Sequence, residues 1–130
     1  MKVIGLVCSP RRKKHTYDFV DSTLKKLEEK GVETTLLYLR DYELKPCVLC
    51  DVEEEYPCLT QDFCPKKDDA TKLYNELNKA DGIVVGTPVF NGTIPEYLHS
   101  LISHAGFPGS PFNNKVTACI VIGWLGCMKA

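Results

Sequence analysis

The chain has 130 residues, 44% of them apolar and 25% charged, a balance that suits one soluble domain with its own core. Its 16 basic and 17 acidic side chains leave a formal net charge of -1. That balance gives no electrostatic basis for nucleic acid or an anionic membrane as the main partner, so small molecules and other proteins remain.

Taken in order, the chain begins with Lys2 to Val7, an apolar, β-branched run that predicts a strand and is too short for a signal-peptide core. No later apolar run approaches the ~20 residues that span a bilayer, so a cytoplasmic setting with no membrane contact is expected. Thr16 to Lys30 has helical spacing, with Phe19, Val20, Thr23, Leu24 and Leu27 on one stripe, Thr16 as N-cap and Gly31 at the C-cap. Val32 to Leu39 reads as a second strand, and the β-α-β unit implies parallel pairing. Beyond the segment Asp41 to Lys67, a helix is expected from Asp69 to Ala80, with Leu73, Tyr74 and Leu77 inward. Asp81-Gly82 turns into a buried strand, Ile83 to Gly86; a third helix is expected over Ile94 to His104, with Leu98, Leu101 and Ile102 inward, and a fourth strand over Val116 to Ile122. Strict alternation argues a three-layer α/β sandwich with a parallel sheet. Ligands of such sheets bind beyond the carboxyl ends of the strands, which singles out the loops after Val7, Leu39, Gly86 and Ile122.

The first of these loops, Cys8-Ser9-Pro10-Arg11-Arg12-Lys13-Lys14-His15-Thr16, places hydroxyls, basic side chains and backbone amides at the start of a helix. A phosphomonoester is stabilised there by free N–H groups and the macrodipole; Ser9 and Thr16 can add hydroxyl donors and Arg11 a charge-assisted pair. The alternative is a solvated basic turn capped by Thr16. The segment Ser9, Pro10, Arg11 and Thr16 resembles the opening of the NADPH-dependent FMN reductase and iron-sulfur flavoprotein family. The resemblance implies a flavodoxin-like α/β/α sandwich with strand order 2-1-3-4, one domain over residues 1–130, and FMN as cofactor. Relative to that family the chain is short, and the fifth strand is expected to be missing. The family often has a glycine where Lys14 stands and a small polar residue where His15 stands. If that position takes a positive φ, a lysine costs on the order of 1 kcal/mol, and weaker FMN binding is expected.

The third loop, Gly86-Thr87-Pro88-Val89-Phe90-Asn91-Gly92-Thr93, is similar to the flavin-ring loop of the same family. Phe90 would offer a flat aromatic surface beside Pro88 and Val89, and the amides of Asn91, Gly92 and Thr93 would donate to the ring; the plain alternative is a turn before a helix. Downstream, Ser103 and His104 replace an acid and an arginine of the family pattern. His99 and His104 are expected at exposed helix positions, and His15 near the phosphate.

Seven cysteines in a reducing compartment read as ligands, redox groups or core fillers. Cys47, Cys50, Cys58 and Cys64 form a four-thiolate window inside a cysteine-rich insertion at about 41–67, a metal-ligand density. Three outcomes stay open: a 4Fe-4S cluster, a structural zinc site, or thiols without a metal. Resemblance at both ends of the window points to the cluster, although Glu53 stands where the family's third cysteine is expected and Cys58 follows later. Cys119 is expected in the core, Cys8 at the loop entry, and Cys127 in a third flavin-contacting loop. The functional expectation is an FMN-binding electron-transfer flavoprotein or NAD(P)H-dependent reductase that also carries a 4Fe-4S cluster. It would work with a redox partner protein or NAD(P)H and assemble as a homo-oligomer through its open sheet edge. The alternative is a metal-binding or interaction module that keeps the fold without flavin.

Overall fold

Residues 1–48, 64, 68–104, 110 and 112–123 are described by the computed structural model of the chain. Lys2–Val7 forms strand β1, and every residue from Val3 to Val7 is buried, as expected of a strand covered on both faces. β1 pairs in parallel with β2 (Glu33–Tyr38) on one side and β3 (Gly82–Pro88) on the other. β3 then pairs in parallel with β4 (Val116–Ile122), so the order is 2-1-3-4, as the sequence predicts. Parallel neighbours require crossovers, and the helices α1 (His15–Glu28), α2 (Ala70–Asn78) and α3 (Glu96–His104) lie within them.

The two-residue period of a strand divides β1 between two apolar layers. Ile4 and Leu6, with Ile83 and Val85, pack under Leu73 and Leu77 of α2 and Leu98 and Leu101 of α3. Val3 and Val7, with Val84, pack under Val20 and Leu24 of α1. Glycines let α1 sit close to the sheet: a Cβ on Gly5 would lie 2.7 Å from Leu24 Cδ1, and one on Gly86 would lie 2.3 Å from Val20 Cγ2. This close seat holds the first turn of α1 beside the ends of β1 and β3. At the far end Gly31, at φ 80°, closes the helix as expected: its N–H donates to Glu28 C=O at 2.8 Å and that of Val32 to Leu27 C=O at 3.1 Å.

Several expectations are corrected. Thr16 is not the N-cap: Lys14 holds that position, and Thr16 is buried in the first turn of α1. Phe19 and Ile102 are 56% and 52% exposed rather than inward. Each adjoins a residue that takes the core position, Val20 and Leu101, and one step along a helix rotates a side chain by roughly 100°. His104 is 1% exposed rather than solvated, because it lies three and six residues beyond Leu101 and Leu98 on the buried stripe. Cys119 is exposed rather than core, since β4 is the outermost strand of the sheet. α3 begins at Glu96, after Pro95.

Candidate functional site

The loop between β1 and α1 is held in place from three directions. Cys8 N–H donates to Gly86 C=O at 2.7 Å, the Tyr97 hydroxyl donates to Cys8 C=O at 3.1 Å, and the Arg40 guanidinium donates to Pro10 C=O. Ser9 is buried, and its Oγ accepts the Arg11 N–H at 3.2 Å, which leaves the hydroxyl hydrogen free to donate. Arg12 pairs with Asp41 and its guanidinium lies 4.7 Å from the centre of the Tyr38 ring. The positive φ in the loop falls on Lys13, at 48°, and not on Lys14, which is extended at φ -127°. The anticipated backbone penalty at Lys14 therefore does not arise.

Cys8 beneath the loop is buried, and burial first, then Cys119, pushes its thiol up to about 12. A buried, neutral thiol of this kind is a poor nucleophile. Burial and then Cys8 likewise push the Tyr97 hydroxyl up to about 12, so it remains the donor that its hydrogen bond requires.

After β3 the chain reverses through Phe90-Asn91-Gly92-Thr93, with φ of 50° at Asn91 and 78° at Gly92. Phe90 N–H donates to Thr93 C=O at 2.9 Å, and Thr93 N–H returns to Phe90 C=O at 3.0 Å. The Thr93 amide is thus engaged in closing the turn. Val89 N–H donates to Ile122 C=O at 2.8 Å, which draws this loop against the end of β4.

These loops enclose a cleft of about 690 Å³ lined by Ser9, Arg11, Lys14, His15 and Thr16 on one side and Pro88, Val89, Phe90, Ile122 and Gly123 on the other. Its volume is in the roughly 300–1,000 Å³ range of small-molecule sites. Of the residues expected to hold a cofactor, Ser9, Arg11, Thr16, Pro88, Val89 and Phe90 meet here, whereas Asn91, Gly92 and Thr93 are not among the lining residues. Among the described residues the lining contains no carboxylate: a basic, hydroxyl-bearing end faces an apolar wall. A ligand with an anionic tail and a flat apolar body fits that division. Lys14, Ile122 and Gly123 were not singled out as site residues from the sequence, although the loops after Val7 and Ile122 were. Arg40 and Tyr97 carried no sequence signal, because their contacts to the loop span 30 and 89 residues.

The ends of the cysteine-rich segment lie side by side. Glu43 N–H donates to Asp69 Oδ2 at 2.9 Å, Asp69 N–H to Glu43 C=O at 2.8 Å, and Lys45 N–H to Asp68 Oδ2 at 3.0 Å. Cys47 N–H donates to Ser103 Oγ at 3.1 Å, and Cys64 N–H to Thr71 Oγ1 at 3.1 Å. The Tyr74 hydroxyl, which donates to Leu101 C=O at 3.0 Å, is pushed well up by burial and then by Cys64 and Cys47. The first and last thiols of the window are thus brought to one neighbourhood from 17 residues apart (64 − 47). Cys50, Cys58, Glu53 and Cys127 lie outside the described residues. Among the described residues no three metal-ligating side chains stand close enough to hold an ion. His104, beside Tyr74, places Nδ1 2.7 Å from Ser100 C=O, and its Nε2 has no partner among the described residues.

Four parallel strands in the order 2-1-3-4 with a cleft at their carboxyl ends define a flavodoxin-like α/β protein. Solved structures share this fold: RosB with bound 8-demethyl-8-formylriboflavin-5'-phosphate superimposes with a TM-score of 0.71 at 19% identity, covering 95% of this chain and 52% of that one. The azoreductase AzrA gives 0.68 at 18% identity, covering 95% and 69%. The family model for NADPH-dependent FMN reductase matches residues 1–130, and the chain belongs to that family. An iron-sulfur flavoprotein of Methanocaldococcus jannaschii is 34% identical over 126 residues, which cover 95% of this chain and 62% of the relative. One from Archaeoglobus fulgidus is 37% identical over 125 residues, covering 93% and 61%. The chain therefore spans about 60% of the length of these relatives.

Proposed function

We propose that the cleft binds FMN, with the phosphate at Ser9, Arg11 and Thr16 and the ring along Pro88, Val89 and Phe90, and that the protein is a flavin-dependent oxidoreductase. The observation that carries this reading is a cleft whose described lining has a basic end free of carboxylates and an apolar wall. Family membership and the names of the relatives support it. Bound FMN supplies electron-transfer chemistry at its ring; the chain's part is to bind and orient it. Contacts within the protein, from Gly86, Tyr97 and Arg40, hold the loop, which lowers the ordering cost of binding. The electron donor is NAD(P)H or a redox partner protein. A cytoplasmic setting is proposed with it, where thiols stay reduced; no helix among the described residues is long and apolar enough to cross a membrane. Flavin released by heating the purified protein should chromatograph as FMN. Release of FAD, or failure of the protein to take up FMN on titration, would remove this reading.

A 4Fe-4S cluster on Cys47, Cys50, Cys58 and Cys64 is part of the same proposal. It is supported by the names of the relatives and by the anchoring of Cys47 at Ser103 of α3 and Cys64 at Thr71 of α2, helices that Tyr74 joins through Leu101. A homo-oligomer is proposed as well, because Val116 and Val121 on β4, at the edge of the sheet among the described residues, are 81% and 59% exposed and β4 carries no charged residue to discourage edge pairing. Light scattering of the 130-residue chain at micromolar concentration should give more than one chain mass. A monomer mass there would refute it.

A further inference from the structure

Loop 8–16 carries more positive charge than one arginine, and the structure sorts it. Arg12 is committed to Asp41 and the Tyr38 ring, and Lys13 is not among the cleft residues. Arg11 and Lys14 do line the cleft, and neither has an ion-pair partner among the described residues. Lys14 also occupies the N-cap of α1 with no side-chain cap, in a position where serine, threonine, aspartate or asparagine would normally satisfy the first-turn amides. A lysine cannot accept those hydrogen bonds, so the donors stay available to an anion at the same spot. Of the other charged or titratable groups nearby, His15 also lines the cleft, and Asp18 in the first turn of α1 does not. Among the described residues, the β3 and β4 sides contribute Pro88, Val89, Phe90, Ile122 and Gly123.

We infer that Lys14 is a specificity-determining residue of this site, supplying with Arg11 a second positive charge that selects a doubly charged terminal phosphomonoester over singly charged or neutral flavin tails. A phosphomonoester carries about -1.5 to -2 charges near pH 7, so one guanidinium leaves it under-neutralised and a second cation completes the match. Lys14 therefore strengthens FMN binding in this chain. The inference rests on the FMN reading above.

Its test is fluorescence-quenching titration with FMN, riboflavin and riboflavin 5′-sulfate, which keeps the shape of FMN with a single negative charge. The unmodified chain should prefer FMN to the sulfate ester, and Lys14→Met should weaken FMN by about tenfold while changing the sulfate ester and riboflavin less, so the preference collapses. Lys14→Gly should weaken FMN similarly, and melting curves of both variants should match the parent, because the position is extended and exposed. Tight FMN binding by the parent with equal or tighter binding by Lys14→Met would overturn the inference alone. Absence of FMN binding by the parent would overturn the FMN reading and the inference with it.

Discussion

Protein purified without oxygen is expected to be brown and to carry about four iron atoms per chain, the stoichiometry of a cluster held by four thiolates. Replacing Cys47 or Cys64 with serine should remove the iron almost entirely. The effect is close to all-or-none because a cluster with a missing thiolate loses both a bond and the charge that balances its iron. Cys8→Ser is the internal comparison: that thiol is buried at the end of β1, outside the 47–64 window, so its loss should leave the iron content unchanged. Tyr74→Phe separates ligation from packing, since it deletes a hydroxyl bound to Leu101 C=O between the α2 and α3 helices without touching a thiol. It should lower stability by roughly 1–2 kcal/mol and retain the iron. One zinc per chain with no iron would indicate the structural site instead, and neither metal under anaerobic conditions would defeat the cluster.

Much of the fold was legible because its signals are local and periodic. β-branched runs became β1 to β4, Gly31 closed α1 where a glycine must adopt positive φ, and alternation alone required a parallel sheet. What the sequence hid was the outcome of competition between neighbours. Val20 and Phe19 are both apolar, and only the gap opened by Gly5 and Gly86 decides that Val20 faces the sheet. An exposed helix position is the expectation for His104, yet its spacing from Leu98 and Leu101 places it in the core. In the cleft, Ser9, Arg11 and Thr16 were recognisable from hydroxyl and charge chemistry at a helix start. The role of Arg40 was not, because it depends on how β2 ends beside Pro10, a contact that exists only once the sheet is assembled. The positive φ expected at Lys14 falls on Lys13, because sequence alone does not show which loop residue makes the turn.

Arg11→Ala is expected to weaken FMN binding by roughly 10- to 100-fold, the usual consequence of deleting one charge-assisted hydrogen bond in a partly enclosed site. Riboflavin lacks the phosphate, so its affinity should change little, and the ratio of the two affinities isolates the contribution of the phosphate end. Arg12→Ala tests whether position, rather than loop charge in general, matters. Its guanidinium is held by Asp41 and the Tyr38 ring on the exposed side of the loop, and it does not line the cleft. Removing it subtracts the same net charge as Arg11→Ala but should cost FMN no more than a few-fold, with at most about 1 kcal/mol of stability from the exposed ion pair. Calorimetric titration of both variants with FMN and riboflavin decides the matter. A parallel loss of both ligands in Arg11→Ala would mean that Arg11 supports the loop instead of the phosphate, and equal losses in the two arginine variants would mean that the site responds to the field of the whole loop.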